Sequence, residues 1–192
     1  MHPSTEFTLR LRQGDRADLL DHFTALDAAD RRLRFGASVS DAGIREYVAR
    51  IDLARDGLFA VREDAGRLGA VIHVALGGDP AELGLSVLPG FRGQGHGGAL
   101  FTRAVDYLCN RGTRAVWVHC LSENAAMMHM ARRHGMQLAS AGGESDGRLV
   151  LAPPTPDSFF REWLHDQQAA AVALMRRYAR LAVYMWGWVP RP

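Results

Sequence analysis

The stretch Glu82-Leu-Gly-Leu-Ser-Val-Leu-Pro-Gly-Phe-Arg92-Gly-Gln-Gly-His-Gly97-Gly-Ala-Leu100 says most about the fold. A strand ends near Leu88, a short turn follows, and glycines at 93, 95, 97 and 98 lead straight into a helix. Glycine lets the backbone approach a ligand without a Cβ in the way. The free N–H groups of such a loop and of the first helical turn converge where the helix dipole also favours an anion, and a pyrophosphate is the natural occupant. A Walker A loop is excluded because it needs a lysine and the chain has none. Gly93, Gly95 and Gly98 satisfy the dinucleotide pattern G-x-G-x-x-G, but the acidic residue that should follow at the end of the next strand is missing. Taken alone, the loop fits a flexible turn equally well.

On the N-terminal side, Phe7–Arg12 alternates like a half-buried strand. Leu19, Leu20, Phe23 and Leu26 have helical spacing after Gly14-Asp15, and a second helix is expected from Asp41, as N-cap, through Ile51. Leu58–Arg62, Leu68–Leu76 and Glu82–Leu88 are strands separated by turn residues. On the C-terminal side, Ala99–Asn110 is helical and Ala115–Leu121 a buried strand. Asn124–His134 is a helix capped by Ser122 or by Asn124 itself, and Met136–Ala139 and Arg148–Leu151 are short strands around a loop, Gly142–Gly147. The order predicts a mixed α/β domain with helices on both faces of the sheet. Pro153-Pro154-Thr155-Pro156 marks the one boundary, separating a domain at 1–152 from a linker and C-terminal helix at 153–192.

Composition excludes several classes. The chain of 192 residues is 47% hydrophobic and 23% charged, ordinary for a globular protein. All 23 basic residues are arginine, and the net charge of +2 forms no basic stripe of the kind nucleic-acid binding requires. Cys109 and Cys120 stand apart, and no histidine pair has ligand spacing with a third donor, so no metal is expected. His129 and His134, five apart on one helix, point to different faces, while His73 and His119 lie in strands near the cleft. The N-terminus has no secretory pattern and no charge-free window of about 18 residues occurs, so a reducing cytoplasm is the expected location.

Residues flanking the glycine loop sharpen the reading. Arg92-Gly93-Gln94-Gly95-His96-Gly97 resembles the R/Q-x-x-G-x-G/A motif of the GNAT superfamily of acyl-CoA-dependent N-acyltransferases, with the strand before it and the helix after it in the family's order. Glu123-Asn124-Ala-Ala-Met127 through Gly135-Met136 is similar to the family's second signature. Asp30-Arg31-Arg32-Leu33-Arg34-Phe35, Ala81-Glu82 and Asn124…Met127 resemble bacterial protein-lysine acetyltransferase domains of that superfamily. The resemblance spans about residues 7–152. It implies the GNAT fold, a mixed and mostly antiparallel central sheet flanked by helices, here with a long C-terminal helix added. It also implies acetyl-CoA as co-substrate, with Arg92, Gly93, Gln94, Gly95, His96, Gly97 and Gly98 on the pyrophosphate. The backbone at Val87 and Leu88 would face the thioester and pantetheine, and Asn124 the pantetheine arm.

Such a transfer requires the amine to lose a proton, the carbonyl oxygen to find a donor, and the thiolate to be protonated. Glu82 is the candidate general base: it shares a strand face with Gly84 and Ser86, and Gly84 leaves room beside it. Its bland alternative is a solvent-facing glutamate near a turn. Many family members carry a tyrosine seven residues after the asparagine as general acid; Ala131 stands there and excludes that route. Ser86 or solvent remains for the proton. Asn124 reads equally as a helix cap.

Phe160, Leu164, Gln167, Ala171, Leu174, Tyr178, Leu181, Met185 and Trp188 form one seam on the last helix. It can pack on the domain, pair as a homodimer, or, with Trp186 and Trp188 beside Arg180 and Arg191, lie on a membrane surface; packing within or between chains is the expectation. The sequence thus predicts an N-acetyltransferase acting on a primary amine, protein lysine among the acceptors. The alternatives are a small-amine acetyltransferase (polyamine, amino acid or antibiotic) and a non-catalytic acyl-CoA sensor.

Overall fold

A computed structural model describes residues 8–63, 66–78 and 80–186; the side chains of 172, 173, 176, 177 and 179–186 are outside that description. Seven strands form one sheet: β1 (Thr8–Arg10), β2 (Gly57–Arg62), β3 (Leu68–Ala75), β4 (Ala81–Val87), β5 (Ala115–Leu121), β6 (Gln137–Ala141) and β7 (Glu144–Val150). Their spatial order is β1-β2-β3-β4-β5-β7-β6, and every neighbouring pair is antiparallel except β4 and β5. Among the described residues six α-helices accompany it: α1 (Arg16–Thr24), α2 (Ala28–Phe35), α3 (Asp41–Arg50), α4 (His96–Cys109), α5 (Ala125–Arg133) and α6 (Pro156–Trp186).

Alternation along the strands makes two cores. Phe59, Ile72, Val74 and Leu83 turn to one face and pack with Leu100, Ala104 and Leu108 of α4. Leu58, Ala60 and Val71 turn to the other and pack with Leu19 and Phe23 of α1 and Ile44 and Val48 of α3. Helices therefore cover both faces, as the pattern required.

Several boundaries differ from expectation. The first strand is only Thr8–Arg10; Phe7 lies outside the described residues, and Gln13–Asp15 makes a 3₁₀ turn into α1. The α3 cap is Ser40, whose Oγ accepts from Gly43 N–H, rather than Asp41. Asn124, not Ser122, caps α5: its Oδ1 accepts the Met127 N–H at 3.0 Å. Most of the expected loop Gly142–Gly147 is strand β7, and only Gly142 and Gly143, both at positive φ, form the turn. Inward positions of β7 carry Ser145 and Gly147, so no hydrophobic alternation marks it. A Cβ on Gly147 would stand 3.1 Å from Leu138, which explains the small residue.

Helix α6 runs 31 residues, about 46 Å at ~1.5 Å per residue. Its first turns are fastened to α4 by polar bonds. Arg161 pairs with Asp106, Asn110 and Arg111 with Glu162, and the 1%-exposed Arg103 with Asp166 at 2.5 Å. Among the described residues the seam is largely uncovered: Phe160 is 60%, Leu174 52% and Tyr178 64% exposed. Leu181, Met185, Trp186 and Trp188 of the seam, with Arg180 and Arg191, lie outside the described side chains or residues. No described helix is long and apolar enough to cross a membrane.

Candidate functional site

The site is organised by the one parallel pair. β4 and β5 are in register only at Ala81↔Val116 and Glu82↔Trp117, although β4 continues to Val87 and β5 to Leu121. Beyond Glu82 the strands part. Leu88 N–H bonds Gly69 C=O at 2.9 Å, so by antiparallel alternation Ser86, Gly84 and Glu82 also bond toward β3. Leu85 and Val87 consequently turn their amide groups into the gap left by β5.

A cavity of about 390 Å³ occupies this gap. Its polar end is the glycine loop and the start of α4: Gly93, Gly95, Gly97 and Gly98 line it. Gly93 and Gly95 have φ of 75° and 90°, and Gly95 is the N-cap of α4, so the loop turns sharply and aims backbone at the cavity. At Gly97 a Cβ would meet Leu85 at 3.3 Å. Apolar wall comes from Leu85, Val87, Met127 and Met130. A dipole-favoured anion end joined to an apolar slot edged by backbone amides fits a pyrophosphate and its pantetheine arm.

Predicted loop residues take up distinct positions. Arg92 is half exposed; its Nε donates to Val87 C=O at 3.1 Å and its Nη2 pairs with Asp30 at 2.5 Å. Thus the Val87 carbonyl is engaged, and α2 supplies a carboxylate that the loop reading did not foresee. Gln94 folds back, Nε2 donating to Gly90 C=O. His96 is buried, its ring 5.8 Å from that of Phe91. Leu88 is buried in the core beneath α1 and α3 rather than in the cavity wall. Asn124 lines the cavity with both ends of its amide engaged, Oδ1 as the α5 cap and Nδ2 on Leu33 C=O at 3.3 Å.

Glu82 is exposed on the strand face shared with Gly84 and Ser86, next to the half-exposed Trp117. The room beside Gly84 is not empty. Arg34 fills it, with Cζ 2.4 Å from where a Cβ would stand. Ser86 is buried and bonded to His22 Nε2 at 2.8 Å, and His22 Nδ1 to Leu68 C=O at 2.9 Å. Burial holds the His22 pKa down at about 4, with the Leu68 carbonyl opposing and the Arg34 charge assisting. The ring is therefore neutral, its Nδ1–H donates to Leu68, and the Ser86 hydroxyl donates to Nε2. That direction turns the Ser86 proton away from a leaving thiolate. Ala131 is buried in the core.

His73 is buried, between Tyr47 Oη at 2.8 Å from Nδ1 and Asp56 at 3.1 Å from Nε2. Burial lowers its pKa, against the raising effect of the hydrogen bond that its Nε2–H donates to Asp56. His119 is half exposed and bonded to Asp146 at 2.8 Å, which raises its pKa. His134 lines the cavity, and burial lowers its pKa. Among the described residues no group of three His, Cys, Asp or Glu is placed to hold a metal ion. Asp30 and Arg34 belong to the segment that carries the family resemblance, but nothing local places them or His134 at the cavity, since α2 and the end of α5 reach it only by folding over β4 and α4.

Comparison with known proteins agrees with this geometry. Residues 25–136 match the model of the Acetyltransferase (GNAT) family. Streptothricin acetyltransferase of Streptomyces lavendulae is 28% identical over 129 residues, covering 63% of this chain and 64% of that protein. The chain thus spans under two thirds of the length of that relative. The GNAT domain of S. lividans PAT superposes with a TM-score of 0.63 at 17% identity, over 75% of this chain and 89% of that one. The yncA structure from Salmonella typhimurium, solved with acetyl-CoA, gives 0.59 at 17% identity, over 80% and 99%. The family match covers more than half of the chain and includes the parted strands, the glycine loop and the α5 cap, and the chain belongs to the GNAT family of acetyltransferases.

Proposed function

We propose that the chain transfers an acetyl group from acetyl-CoA directly to a primary amine, with Glu82 as general base. The observation that carries this is the continuous cavity from the α4 N-terminus to the free amides of Leu85 and Val87. Loop N–H groups would hold the pyrophosphate, and a β4 amide N–H would face the thioester carbonyl oxygen. The amine lone pair attacks the carbonyl carbon, the carbon–sulfur bond breaks, and CoA leaves as thiolate. The ammonium proton passes to Glu82 directly or through water, and solvent protonates the thiolate. Glu82 does not line the cavity; it stands exposed where β4 and β5 part, open to an amine that approaches from solvent.

Similarity to streptothricin acetyltransferase favours a small amine, with protein lysine as the other acceptor class to be assayed. Free-thiol release from acetyl-CoA, scanned over small amines, peptides and proteins, tests the reading. The chain contains no lysine, so lysine self-acetylation contributes no background. Glu82→Gln is expected to lower amine-dependent turnover about 100-fold while CoA still binds. Unchanged turnover removes Glu82 from the role, and no turnover with any amine favours the sensor reading. We also propose that the exposed α6 seam pairs with a second copy, because its apolar residues alternate by four and three as a two-helix seam requires.

A further inference from the structure

Arg34 lines the cavity as a cation without a counter-ion. Its Nη2 donates to Tyr47 Oη at 2.8 Å, its Nε is buried without a hydrogen-bond partner, and no described carboxylate pairs with it. Other partly or fully buried arginines are satisfied in different ways: Arg31, Arg62 and Arg103 pair with carboxylates, Arg16 donates to the Val48 and Ile51 carbonyls, and Arg10 donates to Tyr107 Oη. Burying a guanidinium without an anion is costly, so the position demands compensation.

The surroundings hold the group in place rather than neutralise it. Its Cζ lies 5.6, 5.0 and 5.7 Å from the ring centroids of Phe23, Phe35 and Tyr47. The guanidinium lies against β4 at Gly84, where any side chain would displace it. Behind it runs a directional chain. Asp56 accepts from His73 Nε2–H, so neutral His73 accepts the Tyr47 hydroxyl proton at Nδ1, and the Tyr47 oxygen is left to accept from Arg34. Each link has one arrangement, and together they fix the plane of the guanidinium.

We propose that Arg34 binds a carboxylate of the acceptor, so that the substrate class is a free amino acid whose amine is presented to Glu82 while its carboxylate rests on the guanidinium. The proposal rests on the acetyl-transfer reading. Gly84 and Glu82 are alternate residues on one strand face, about 6.6 Å apart. Arg34 covers the Gly84 position, so base and guanidinium are neighbours over the same face of β4, where one small molecule can meet both. A polyamine would instead bring a second cation to Arg34 and be repelled.

Isothermal titration of the CoA-saturated protein provides the test. The probes are N-acetylalanine, N-acetylglutamine and N-acetylphenylalanine, each against its own carboxamide. In wild type at least one acid is expected to bind tenfold or more tightly than its amide. Arg34→Gln should erase that preference, and Arg34→Lys should restore part of it, with CoA affinity within twofold throughout. Equal binding of acids and amides, no binding of any acid, or a preference that survives Arg34→Gln overturns the proposal. Turnover adds one more decision: an equal fall in kcat for every amine, carboxylate-bearing or not, assigns Arg34 to the carbonyl oxygen and overturns it too. Binding is read without catalysis, so a protein that turns over no amine still tests Arg34, and loss of the enzyme reading is seen separately.

Discussion

His22 should make the fold acid-sensitive in a pH range above that of its carboxylates. The ring is 1% exposed and neutral, with a pKa near 4 against 6.5 when unfolded. A lowered histidine pKa means that the unfolded chain binds the extra proton more readily, so stability is full above 6.5 and falls as pH drops toward 4. A shift from 6.5 to about 4 corresponds to about 3 kcal/mol in all, of which about 2 kcal/mol is lost by pH 5. His73, also lowered by burial, works in the same direction, whereas half-exposed His119, raised by Asp146, contributes weakly the other way. His22→Asn keeps an amide N–H near the position of Nδ1–H and removes the titration. Urea unfolding of both proteins, followed by tryptophan fluorescence from pH 7.5 to 5.0, isolates the effect. The stability gap between wild type and variant should narrow by about 2 kcal/mol across that range. A gap constant to within about 0.5 kcal/mol would refute a buried neutral His22.

Gly95→Ala places a side chain at φ 90° with no steric neighbour, so backbone strain of about 1–2 kcal/mol is the whole structural effect. CoA affinity by titration should fall at least tenfold, whereas Gly90→Ala, without a positive φ or a contact, should leave it unchanged; equal effects would dissociate the loop from phosphate binding. Asp166→Asn strands the buried Arg103, but Asp166 is 44% exposed, so urea denaturation should register about 1–2 kcal/mol rather than the larger loss of a sealed pair. Removing residues 172–192 spares the turns bonded to α4, and sedimentation should change from dimer to monomer with CoA affinity intact; a soluble full-length monomer would exclude pairing through the seam.

The strands and helices nearest the glycine loop were legible because each uses a signal that acts locally. Val116, Val118 and Cys120 are buried in alternation, Ala104 and Leu108 fall on one face of α4, and Gly95 supplies the turn. Other parts failed for physical reasons. Strand β7 buries a serine and a glycine, so hydrophobicity cannot reveal it. Helix α2 has no fully buried side chain, and its boundaries are polar: Asp27 caps it by accepting the Asp30 N–H at 2.8 Å, and Gly36 ends it at φ 75°. Gly84 showed the converse. The room that a glycine leaves beside Glu82 is real, but it is taken by Arg34, fifty residues earlier in the chain.

Helix α2 is what unites the two halves of the site. With no side chain fully buried, α2 is anchored by the partly buried Phe35 against Phe23 and Tyr47 and by polar bonds along its length. Asp30 holds the loop arginine Arg92, Arg32 pairs with Glu123 and Leu33 C=O accepts from Asn124 at the entrance to α5, and Arg34 reaches β4. Asp30 and Arg34 are four residues apart and so share a helix face. One end of that face meets the pyrophosphate loop and the other the proposed acceptor subsite. The same short helix that escaped hydrophobic patterning therefore touches both ends of the proposed site, through Asp30 at the loop and Arg34 at β4.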